Sequence, residues 1–123
     1  MKFKIPIYET NVIVELFENS VILQKRYQEI IRRSNLIDDY EGLAEALVLF
    51  SPLGKNELYL LISKEDLDYC LLSHEIIHIV TKVFEFNNIK LNMYNDDENY
   101  ALLTGYVFEK IHTYLIKNNI KIR

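Results

Sequence analysis

At 123 residues, 50% apolar and 26% charged, the chain has room for one domain and one core, and not for separate catalytic and substrate domains. A net charge of −4 disfavours nucleic acid as the main ligand, and the single cysteine, Cys70, excludes an internal disulfide and suits a reducing compartment. No apolar run reaches membrane-spanning length and residues 1–15 lack the apolar core of a signal peptide, so the expected setting is cytoplasmic, with no membrane partner.

Taken in chain order, Lys2–Leu16 alternates apolar and polar residues (Phe3, Ile5, Ile7; then Val12, Val14, Leu16) and reads as a strand with Pro6 at an edge or bend. Ser20–Arg33 carries Val21/Ile22, Tyr27 and Ile30/Ile31 at helical spacing. Its basic cluster, Lys25, Arg26, Arg32 and Arg33 with Glu29 among them, reads as a solvated helix face rather than a phosphate patch. Asn35–Gly42 is polar and reads as a loop. Leu43–Phe50 and Glu57–Ile62 are apolar runs flanking the breaker-rich Ser51–Asn56, the pattern of a hairpin. Ser63 and Asp66 resemble a capping box, which predicts a helix from near Lys64 to about Phe86, stopped by Asn87-Asn88. Apolar residues cover most of its circumference, so it should be a buried central helix. After the connection Ile89–Asn95, a last helix is predicted from about Asp96 to Lys117. The expected fold is α+β in βαββαα order over residues 1–123, a three- to four-stranded sheet packed on the central and C-terminal helices.

The central helix contains His74-Glu75-Ile76-Ile77-His78, an HExxH sequence. Residues four apart share a helix face, so both imidazoles can be offered to one ion, while Glu75 lies about 100° round the turn and can reach a water there. That set is suited to zinc-assisted hydrolysis, with His74 and His78 as metal ligands and Glu75 as general base. A catalytic zinc normally takes a third protein ligand. Glu98 is the candidate, since a loop of about nine residues can span roughly 30 Å and return the last helix to His78. Asn95-Asp96-Asp97-Glu98 is also what a helix start looks like, with Asn95 as N-cap, and Asp97 replaces Glu98 if the helical phase differs by one.

Other residues are read structurally. Cys70 is expected as a small buried hydrophobe, and His112 as a partly exposed helix residue too far from Glu98 to share an ion. Gly105, costly in mid-helix, suggests close approach of another backbone. Tyr94, Tyr100 and Tyr106 are near enough in sequence to reach an oxyanion, but none stands out from nine tyrosines.

The segments LLSHEIIHIV and NDDENYALLTGYVFEKI together resemble the zincin metallopeptidases of the HExxH…E (gluzincin) type. The chain resembles the small single-domain zincin-like proteins of phage and bacterial genomes, and a related pattern occurs in anti-repressor peptidases of mobile elements. The resemblance covers about residues 57–115. It implies a zincin-like fold, a Zn2+ cofactor held by His74, His78 and Glu98, Glu75 as general base, and a peptide or protein substrate. It also implies that the strand Glu57–Ile62 could hold an extended peptide by strand addition. The chain departs from the thermolysin-like pattern at Leu102, where an aspartate would orient the first histidine, and it shows no clear histidine or arginine for the oxyanion. A zinc module with little or no catalysis, acting through protein contacts, is the alternative.

Overall fold

The computed structural model describes residues 1–32, 43–52, 56–89 and 97–123. Four strands and three helices lie among them: β1 (Lys2–Ile5), β2 (Thr10–Phe17), α1 (Ser20–Arg32), β3 (Ala46–Phe50), β4 (Glu57–Ser63), α2 (Tyr69–Phe86) and α3 (Asp97–Lys117). The expected loop Asn35–Gly42, the turn residues 53–55, Arg33, most of the connection Ile89–Asn95 with Tyr94, and the Asn95 cap lie outside the described residues.

The first alternating segment is a hairpin rather than one strand. β1 pairs antiparallel with β2, Lys2 opposite Ile13 and Ile5 opposite Thr10. Pro6 has no N–H for a ladder, and Glu9 takes the left-handed region at φ 53°, so the chain reverses there. Period two survives the reversal because each arm keeps one face on the core. The sheet order is β1-β2-β4-β3, with β4 parallel to β2 and antiparallel to β3. The result is an α+β arrangement on a mixed sheet.

β4 lies inside the sheet and is covered on both faces. Leu58, Leu60 and Ile62 pack with α2 and α3, whereas Leu61 packs with Leu23 and Ile30 of α1. β3 divides in the same way: Ala46, Val48 and Phe50 face the α2 side, Leu47 and Leu49 the α1 side. Arg26 of α1 does not point into solvent. Its Nε and Nη2 donate to Glu15 of β2 at 2.7 and 3.1 Å, tying the helix to the sheet. The hydrogen bonds with Glu15 hold the Arg26 guanidinium above its usual value.

The start of α2 differs from the expected one. Ser63 Oγ does donate to Asp66 Oδ2 at 2.8 Å, but this pair closes only a single 3₁₀ turn, Lys64–Asp66. Leu67 is extended and fully buried, which stops that turn from growing into the helix. Asp68 then caps α2 by accepting from Leu71 N at 2.7 Å. The helix ends as the two asparagines suggest. Asn88 is left-handed at φ 57°, Ile89 N donates to Phe84 O, and Asn88 N donates to Glu85 O, a Schellman closure.

α3 packs antiparallel on α2. Tyr100 meets Phe84 with ring centroids 6.0 Å apart, and at the other end His112 meets Tyr69 at 5.8 Å. Leu103, Val107, Ile111 and Leu115 form its buried stripe. Gly105 is exposed, and a Cβ built on it would meet nothing within 4 Å, so no backbone of the described residues crowds that position. Among the described residues, no helix is long and apolar enough to cross a membrane.

Candidate metal centre

α2 lies along the edge strand β3, and its helical phase sets the environment of each motif residue. Leu72, Ile76, Ile79 and Val83 take the core. Glu75, one residue from that stripe, is turned toward β3 and is only 6% exposed. His74 and His78 lie further round and are exposed. Burial pushes the Glu75 carboxyl up from its ordinary value of 4.5, against the opposing pull of His78 and then His74. Among the described residues, the Glu75 carboxylate has no hydrogen bond and no ion pair. Burial disfavours the ionised form of this carboxyl unless another group offsets the lost hydration.

The two imidazoles converge. His74 Nε2 and His78 Nε2 are 3.1 Å apart, with ring centroids 4.7 Å apart and planes at 78°. Two nitrogens bound tetrahedrally to zinc at 2.0–2.1 Å would be about 3.3 Å apart. The observed separation is within a few tenths of an ångström of that value, so the pair fits two corners of a zinc tetrahedron. Without an ion, the same contact is a hydrogen bond in which one ring N–H donates to the other ring nitrogen.

His74 and Glu75 open onto a cleft of about 530 Å³, lined also by Glu45, Ala46, Asp68, Cys70 and Leu71. Cys70 is exposed, not the buried hydrophobe its residue type suggests. It lies one turn before His74 and therefore shares the outward face. Glu45 was not legible as a cleft residue, because only the pairing of β3 brings the strand's start beside α2.

Glu98 is exposed in the first turn of α3. The helix register keyed by Phe84–Tyr100 and Tyr69–His112 sets Glu98 level with the end of α2, about eight residues or 12 Å along the axis from His78. Among the described residues, no three His, Cys, Asp or Glu side chains gather closely enough to hold a metal ion. The structure thus brings the His74 and His78 rings together, with Glu75 on the same cleft as His74, and among the described residues no third ligand stands with the pair. The side chain of Asp97, the substitute ligand, lies outside what is described.

His112 is more engaged than expected. It stacks on Phe108 with centroids 5.2 Å apart, and its Nε2 is 3.2 Å from Tyr69 Oη. Tyr106 Oη donates to Lys4 O at 3.3 Å, away from the cleft. The strand expected to receive a peptide is also corrected. Glu57–Ser63 is flanked by β2 and β3, so both of its edges are already paired. Among the described residues, the unpaired edge beside the cleft belongs to β3.

No family model matches the chain, and neither the curated proteins nor the solved structures contain a match.

Proposed function

We propose that the protein is a small zinc-dependent peptidase of zincin type, with His74 and His78 as zinc ligands and Glu75 as general base. The observation that carries this reading is the 3.1 Å convergence of the two imidazole nitrogens on the helix turn that also carries the buried Glu75 carboxylate. Bound zinc would supply Lewis acidity, which makes water nucleophilic near neutral pH and polarises a carbonyl. Glu75 Oε would take the proton from that water and pass it to the leaving amine, a task suited to a carboxyl raised by burial. The edge of β3 would align the peptide, since strand addition uses main-chain groups that an inner strand no longer has.

Among the described residues, no third ligand stands beside the pair. Glu98 closes the site only if the first turn of α3 approaches the pair, whereas Glu45 and Cys70 already line the cleft with His74. That incomplete set favours a second reading, a zinc module with weak or no catalysis that acts by holding a partner peptide. Digestion of a peptide library with wild-type and Glu75→Gln protein separates the two. The peptidase reading expects cleavage by the wild type and none by a Glu75→Gln variant that retains its metal. Cleavage by both would remove Glu75 from the mechanism.

A further inference from the structure

Resting on the proposed peptide groove, we infer a charge polarity for its ligand: an extended peptide with acidic residues toward its N-terminal end and basic residues toward its C-terminal end. The groove has a direction because β3 and α2 run the same way. Glu45 and Ala46 share the cleft with Asp68 and His74 near the start of α2. Phe50, at the other end of the strand, meets Phe86 at 5.8 Å and lies under Lys82 Nζ, 5.2 Å from the ring centroid.

No described strand pairs with the outer side of β3, which opens its backbone to a ligand at alternate residues. Ser63 N donates to Glu45 O and Ser51 N donates to Glu57 O, which fixes residues 45, 47, 49 and 51 as the positions bonded to β4. The N–H and C=O groups of Ala46, Val48 and Phe50 therefore point to the free edge, and their side chains face α2. A peptide adding antiparallel, the geometry with perpendicular hydrogen bonds, enters at Phe50 and leaves at Glu45.

Charge is distributed unequally along that path. Lys82 is one turn beyond His78 and forms no ion pair among the described residues; its ammonium is held over an aromatic ring instead. Glu45 is exposed and likewise forms no ion pair among the described residues, and Asp68 beside it adds a second carboxylate, which caps α2. A cation at the entry and carboxylates at the exit discriminate sequence order in a peptide of fixed composition.

The probes are two fluorescein-labelled nonapeptides of identical composition. One has two glutamates N-terminal and two lysines C-terminal to an alanine-valine centre, and the other has these blocks exchanged. Titrated at low salt with full-length Glu75→Gln protein, the first should bind about tenfold more tightly by anisotropy. Lys82→Ala should erase most of the difference, and Lys82→Glu combined with Glu45→Lys should reverse it. Equal affinities, preference for the exchanged peptide, or binding of neither overturns the polarity. Zinc is measured separately on the same protein. A metal-free protein that keeps the tenfold preference would uphold the polarity while the peptidase reading fails.

Discussion

Glu75 is an ionisable side chain held where ionisation is costly, and this has a consequence for stability as well as for chemistry. Its folded value is raised above the unfolded value near 4.5. Below the unfolded value both states are protonated and Glu75 is neutral in its effect. As pH rises through the raised value, the folded state loses ground, and the cost is complete above it. Glu75→Gln should therefore stabilise the protein at pH 7 by about 1 kcal/mol. Thermal unfolding of both proteins from pH 4 to 8 checks this: the gain should shrink toward zero at the acid end. A gain that grows toward acid would show the sign to be wrong. The motif itself was readable, because i and i+4 spacing fixes which face two side chains share. Cys70 was misjudged because residue type was weighed over phase; four positions before His74, it lies on the same outward face.

For the elements, boundaries were less legible than existence. Ser63 and Asp66 do bond to each other, yet the helix waits for Asp68 because buried Leu67 interrupts the turn. Asp68→Ala should accordingly cost about 1 kcal/mol, the usual worth of an N-cap, whereas Ser63→Ala should leave the helix start in place. Denaturant titration of the two variants distinguishes the caps. Gly105 sits in an exposed helical position with open space around it, so Gly105→Ala should stabilise by roughly 0.5–1 kcal/mol. A loss of stability there would mean that a close neighbour exists after all. The axial offset of Glu98 follows from the buried stripe Leu103, Val107, Ile111 and Leu115, which fixes how far α3 slides along α2. Chain length alone allowed the reach to His78; side-chain packing set the register.

In the whole molecule, the apolar run Leu60-Leu61-Ile62 marked a strand covered on both faces, and all three are fully buried. Its place inside the sheet was not legible, since pairing partners depend on contacts distant in sequence. That one fact moves the proposed peptide groove from β4 to β3. Leu60→Ala should cost 2–5 kcal/mol, read from the denaturation midpoint, because it opens a cavity between the sheet and α2. The two imidazoles stand on the opposite, exposed side of the same helix, so their replacement should leave the fold intact. Zinc content per chain, measured by elemental analysis on dialysed wild-type and His78→Ala protein, therefore tests the pair itself. Stoichiometric zinc in the wild type and none in the variant is the predicted result; equal zinc in both, or none in either, would contradict the metal site.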